Sequence, residues 1–178
     1  MNWEMNALVI LGLIKTLSLK INNYKKNIEK LIPIKGRGAT YKLKIKGKKI
    51  SLIDESYNSN PDSLENAIKG IETQNYKARR KICVIGDMLE LGKMSPKLHT
   101  KILKVLIKAN PYSVITIGNF TKLIYYNLPK KIKAFHFNNC QNVYNKLIDM
   151  VEDGDLIMIK GSNSTKLHLI CDKLIRKY

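Results

Sequence analysis

An α/β fold, built on a mostly parallel sheet with helices on both faces and preceded by a short N-terminal helical remnant, is predicted for this 178-residue chain. Two observations carry the prediction. From about residue 50 onward, short apolar runs alternate with longer segments whose apolar residues recur at helical spacing. Four of the apolar runs are followed directly by polar clusters, as expected where strands of a parallel sheet end on one edge. Strand-helix-strand connections of this kind cross over with the right hand, which gives a Rossmann-like layering.

Residues 6–19 are strongly apolar with helical spacing, and a second short helical pattern covers 24–31. Pro33-Ile34-Lys35-Gly36-Arg37-Gly38 has the Pro and Gly content of a connection, so a domain boundary is expected near Gly38, with 1–38 a truncated helical end and 39–178 a domain. Two such helices make no core alone; they pack on the 39–178 domain or close a larger one. Residues 41–45 and 50–54 flank Lys46-Gly47-Lys48-Lys49, which suits a hairpin. Helix is expected over 62–72, strand over 81–85, helix over 95–109 with Ser95 as N-cap and Pro96 in the first turn, and strand over 113–117. A weaker helix from Thr121, an extended piece over 134–137, helix over 141–151, strand over 156–159 and a closing helix over 165–176 complete the pattern.

Composition narrows the function classes. With 44% hydrophobic residues the chain can bury one good core and a small appendage. Its net charge of +18 comes from 32 basic residues, among which the arginines are only Arg37, Arg79, Arg80 and Arg176. Nucleic-acid readers favour Arg for bidentate contacts, so Lys spread along the whole chain argues against specific nucleic-acid recognition and for a general affinity for anions, nucleotides included. Cys83, Cys140 and Cys171 have no metal-ligand spacing and fit a reduced cytoplasm. The apolar run over 7–14 is too short to span a bilayer, and Glu4 stands where a signal peptide carries positive charge, so a soluble cytoplasmic protein without membrane insertion is expected.

The chemistry is expected in the polar clusters: residues 54–60, 86–92, Gly118-Asn119 and 160–164. Gly118-Asn119 reads as a plain turn. Asn60-Pro61-Asp62-Ser63 also reads as the start of a helix, since Pro suits the first helical turn. Asp87 and Glu90, flanked by glycines, offer carboxylates to a substrate ammonium. Lys160, followed by Gly161 and Ser162 at the start of the last helix, would set a cation and free N–H groups beside a bound carboxylate or phosphate. His99, His136 and His168 read as structural histidines. No phosphate-cradling loop and no metal-ligand cluster is found in the sequence.

These clusters resemble the C-terminal part of a Mur ligase, in the branch that joins D-alanyl-D-alanine to UDP-N-acetylmuramoyl-tripeptide. Gly36-Arg37-Gly38 is similar to that branch's GRG hinge, DESYNSNPDS from Asp54 to its DDSYNANPDS, GDMLELG from Gly86 to its GDMLELG, and KGSNS from Lys160 to its KGSRS. The resemblance runs from about Asn6 to the end of the chain. It implies that Arg37 reaches the ATP phosphates, that Asp54 holds the ribose, that Tyr57, Asn58 and Asn60 shape the nucleotide and substrate side of the cleft, and that Asn6 helps to bind adenine. Asp54 has a second reading as a cap of the loop it begins. Glu55 stands where the family has a second Asp, Asn163 where it has Arg, and Trp3 where it has Asn. ATP and Mg2+ are implied as cofactors through the family's central domain, whose GTNGKT loop has no counterpart here. UDP-N-acetylmuramoyl-tripeptide, D-alanyl-D-alanine and a separately encoded N-terminal half are the implied partners. A domain of this kind is expected to be inactive alone; the alternative is a non-catalytic binding module of the same fold.

Overall fold

The computed structural model describes residues 3–30, 33–73 and 79–178. The expected end of the second helix at Leu31 lies outside the described residues. Helices α1 (Trp3–Thr16) and α2 (Lys25–Glu29) precede a strand pair, β1 (Ala39–Ile45) and β2 (Lys48–Glu55). The rest alternates: α3 (Pro61–Thr73), β3 (Lys81–Gly86), α4 (Ser95–Ala109), β4 (Ser113–Ile117), α5 (Thr121–Asn127), β5 (Lys133–Phe137), α6 (Cys140–Met150), β6 (Leu156–Lys160) and α7 (Leu167–Lys177). Among the described residues, six strands lie in the order β1-β2-β6-β3-β4-β5, and of their pairings only β1–β2 is antiparallel.

Side chains alternate across the sheet, so two apolar layers form from the same strands. Leu52, Ile82, Val84, Ile157 and Ile159 pack with α6 and α7. Their neighbours Ile53, Cys83, Ile85 and Met158 pack with α3, α4 and α5. The chain moves outward from β2 to β5 with helices on one face and returns to β6 with α6 on the other, as a constant crossover hand requires. Because β6 inserts between β2 and β3, the loops after β2 and β6 leave toward opposite faces, and a crevice opens at their carboxyl ends.

Helix ends depart from the sequence in three places. Ser95 does not cap α4: a 3-10 turn over Gly92–Met94 runs straight into the helix, and Ser95 is already its first residue, buried, with its carbonyl accepting from His99 Nδ1 at 2.7 Å. Pro96 does sit in the first turn. The last helix begins at Leu167 rather than at residue 165, so Lys160 ends a strand and Ser162 lies in the loop before a 3-10 turn, not on a helix terminus. Helix α1 stops at Thr16, short of residue 19.

Candidate functional site

The carboxyl ends of β2 and β6 floor a cleft of about 370 Å³, walled by the β2–α3 loop, α3, the 34–37 connection and Asn6 of α1. Arg37, Tyr57, Asn58, Asn60, Asn6 and Lys160 all line it. Residues distant in sequence thus meet in one place. Glu55 and Lys160 are register partners on adjacent parallel strands, which aims both side chains at the same face. Lys160 is only 2% exposed; its Nζ donates to the Asn58 carbonyl at 3.0 Å and lies 3.5 Å from Glu55 Oε2. Burial pulls its pKa below the ordinary lysine value, while the Glu55 carboxylate pulls it back up. At the mouth, the Arg37 guanidinium stacks over the Tyr57 ring, 4.1 Å from its centroid.

Asn60 and Ser63 form a reciprocal cap of α3: Ser63 N donates to Asn60 Oδ1 at 2.8 Å, and Asn60 N to Ser63 Oγ at 3.0 Å. Asn60 therefore starts the helix as well as lining the cleft. Glu55 and Ser59 of the 54–60 cluster line it too, though the sequence assigned them no role, and so do Ser63 and Asn66, which lie outside that cluster. The signals were present: Glu55 follows Ile53 at strand period, and Ser63, Asn66 and Gly70 recur at helical spacing on α3.

Asp54 faces the other way. One residue from Glu55 on the same strand, it projects to the α7 side of the sheet and lines a separate hollow with His168 and Asp172. It is 1% exposed, and both carboxylate oxygens are occupied by the chain itself. Oδ2 accepts from Gly36 N at 2.9 Å; Oδ1 accepts from Ser56 N at 3.1 Å and Ser56 Oγ at 2.5 Å. This geometry is that of a loop cap, not of a carboxylate open to a ribose.

Asp87, Glu90 and Ser162 do not line the cleft. The Asp87 carboxylate accepts from Thr121 N at 2.7 Å and Phe120 N at 3.1 Å, holding the start of α5. A side chain at Gly118, whose φ is +122°, would run into that carboxylate, so this turn needs glycine. Ser162 is buried and stitches strand-end loops together: its N donates to the Asp87 carbonyl at 3.0 Å, its Oγ accepts from Leu89 N at 3.0 Å, and it reaches the Ser59 carbonyl at 3.4 Å. Glu90 is exposed in a left-handed turn, φ 64°. The polar atoms of Asp87 and Ser162 thus hold the loops that frame the edge of the sheet.

The sequence profile described as the Mur ligase, glutamate ligase domain matches residues 41–163. The chain belongs to the Mur ligase family. Two relatives named UDP-N-acetylmuramoyl-tripeptide--D-alanyl-D-alanine ligase, from Rickettsia prowazekii and Buchnera aphidicola (subspecies Baizongia pistaciae), are each 32% identical. The matches cover 92% and 97% of this chain but 35% and 36% of the relatives, so it spans about a third of their length. A MurF structure from Acinetobacter baumannii superposes with a TM-score of 0.78 at 23% identity, over 97% of this chain and 37% of that one. A MurF ligase from Thermotoga maritima in complex with ADP gives 0.76 at 20% identity, over 94% and 36%. The Mur ligase fold is thus shared across the sheet and the N-terminal helices.

Among the described residues, no group of three or more His, Cys, Asp or Glu side chains is placed to hold a metal ion. No helix of the described residues is long and apolar enough to cross a membrane.

Proposed function

We propose that this chain is the C-terminal domain of an ATP-dependent ligase joining D-alanyl-D-alanine to UDP-N-acetylmuramoyl-tripeptide, with 1–38 the helical end of the ATPase domain and 39–178 the domain that closes on it. The observation that carries this reading is the convergence of Asn6, Arg37, Tyr57, Asn58 and Asn60 around one cleft with Lys160 at its floor. The names of the relatives supply the reaction.

A carboxylate is a poor electrophile, so the peptide carboxylate first takes the γ-phosphoryl group of ATP, releasing ADP. The dipeptide amine then attacks the acyl carbon, and the amide forms as phosphate leaves and the nitrogen loses a proton. In that sequence Arg37 meets nucleotide phosphates, the Lys160 ammonium adds a desolvated positive charge close by, and Asn6, Tyr57 and Asn58 shape the walls. Closing such a cleft excludes water that would hydrolyse the acyl phosphate. ATP and the UDP-linked peptide are nucleotides of the cytoplasm, where we place the chain.

Because the sequence carries no phosphate-cradling loop, the chain is inactive by itself. The purified protein, given ATP, magnesium, the UDP-linked tripeptide and D-alanyl-D-alanine, is expected to release no phosphate above background. Adding a domain that bears the phosphate loop is expected to restore ligation, and Arg37→Ala in the restored complex to raise the KM for ATP. Turnover by the chain alone, or an unchanged KM, would overturn the reading.

A second reading has one observation in its favour. Leu8, Val9, Leu13 and Leu17 in and just after α1 are all more than half exposed, which suits a non-catalytic Mur-type module docked on a separately encoded N-terminal half. Docking without any gain of activity would favour it.

A further inference from the structure

The connection between the N-terminal helices and the sheet is sewn down along its length from Lys35 to Gly38. Lys35 Nζ lies 2.6 Å from Asp172 Oδ1 on α7. Gly36 N donates to Asp54 Oδ2 at 2.9 Å, Gly36 O accepts from Tyr57 N at 3.0 Å, and Gly38 N donates to the Asp54 carbonyl at 2.8 Å. Between these two pinned glycines stands Arg37, its guanidinium over the Tyr57 ring. Gly36 has φ +77°, and a side chain there would collide with Tyr57 Cβ at 2.9 Å, so the turn and the Tyr57 backbone fit only without one.

We propose that Asp54 is the positioning residue for Arg37, anchoring the 36–38 turn from the opposite face of the sheet so that the guanidinium moves with the sheet and not with α1 and α2. The physical basis is the division of labour along one strand. Glu55 points into the cleft beside Lys160, while Asp54, buried behind it, gives its carboxylate and its carbonyl to the turn that bears Arg37. A carboxylate oxygen accepting a backbone N–H away from water makes a charge-assisted bond about twice as strong as a neutral one. The cleft thus meets an anion with a guanidinium already fixed in place, with no loop to order on binding. Its use for binding rests on the proposed reading of the cleft as a nucleotide site; the anchoring itself does not.

The experiment uses NMR on the full chain and on Asp54→Asn. In the wild type, the Gly36 amide is expected to exchange as slowly as amides of the β1–β2 ladder, and the Arg37 δ-protons to be shifted upfield by the Tyr57 ring. In Asp54→Asn, an amide replaces one acceptor oxygen with a donor, and Gly36 protection is expected to fall roughly tenfold or more. The Arg37 shift should collapse while β3 and β4 amides keep their protection. A folded variant with Gly36 protection and Arg37 shift unchanged would overturn the proposal. So would an unprotected Gly36 amide in the wild type, which decides the matter even if the variant fails to fold. Tyr57→Leu should erase the Arg37 shift yet leave Gly36 protected; loss of both would assign the anchoring to Tyr57 instead. An ADP titration separates the two readings: if ADP binds and Asp54→Asn weakens it as much as Arg37→Ala does, both stand. If wild type shows no ADP response, the nucleotide reading fails while the Gly36 and Arg37 signals still judge the anchor.

Discussion

His99 is a fully buried residue whose protonation state is fixed by its neighbours. Met88 N donates to its Nε2 at 2.9 Å and its Nδ1 meets the Ser95 carbonyl at 2.7 Å, so the neutral ring with the proton on Nδ1 satisfies both contacts. Burial holds its pKa below the usual 6.5, against weaker upward pulls from the Ser95 carbonyl and the Asp87 carboxylate. The unfolded chain therefore takes up a proton near 6.5 that the folded chain refuses until a lower pH. In that window the unfolded state binds more protons, and stability falls as pH falls. The melting temperature is expected to be lower at about pH 5 than at about pH 7.5, with a smaller drop in His99→Gln. His136, also lowered by burial, pushes in the same direction from a half-buried site, so some drop should persist. An undiminished drop in His99→Gln would count against this account. Other residue roles were only partly legible in the sequence. The polar types at Asp54, Asn58, Asn60 and Lys160 marked the right edge of the sheet, but no linear spacing says which face of β2 carries the cleft. Strand parity separates Asp54 from Glu55; only the packing of α3 against Ile53 tells which of the two is inside.

At the scale of elements, the start of β3 is fastened to the start of β6 by a bidentate pair. Arg80 Nε and Nη2 reach Asp155 Oδ1 and Oδ2 at 2.9 and 2.7 Å, and Nη2 also donates to the Met150 carbonyl at 2.7 Å. The Asp155 side chain is fully buried, and the guanidinium stacks on Tyr112, 4.3 Å from its centroid. Removing one partner leaves a buried charge alone, so Arg80→Ala is expected to lower the unfolding free energy by about 3 kcal/mol in chemical denaturation, with Arg80→Lys recovering only part. A loss under about 1 kcal/mol would place the pair among weak surface contacts. Asn139, whose side chain accepts from Asn142 N at 2.9 Å, caps α6, and Asn139→Ala is expected to cost about 1 kcal/mol. The order and type of the strands and main helices were legible, because their apolar periods of two and of three to four are imposed by the two-faced core. The helix starts were not. Ser95 has the composition of a cap, yet the turn before it is already helical, and the last helix waits for the left-handed Lys166, φ 58°. Such ends are decided by loops meeting other loops, as Ser162 does, and those contacts are remote in sequence.

At the scale of the whole molecule, α1 is the element that the rest of the chain does not account for. Its apolar residues spread round the helix instead of forming one stripe, and a helix apolar on all sides belongs in the interior of something. Here Ile14 is its only side chain in the core among the described residues, while Leu8, Val9 and Leu13 are 60%, 59% and 57% exposed and Leu17 just beyond it 66%. Each such side chain gains roughly 1.5–3 kcal/mol when fully buried, so the four together make a strong drive to association. Under the function proposed above, the partner is a domain bearing the phosphate loop. If that is the covering surface, Leu8→Lys with Leu13→Lys should leave the melting temperature of the isolated chain nearly unchanged, because neither residue is in its core. The same pair should abolish co-purification with the phosphate-loop domain and the ligation that domain restores. Asn6, on the same helix, lines the cleft, so α1 would carry both the docking face and one wall of the site. Retained co-purification with the double variant would show that the two parts meet elsewhere. A collapse of the isolated chain's own stability would show that α1 is already packed where it belongs.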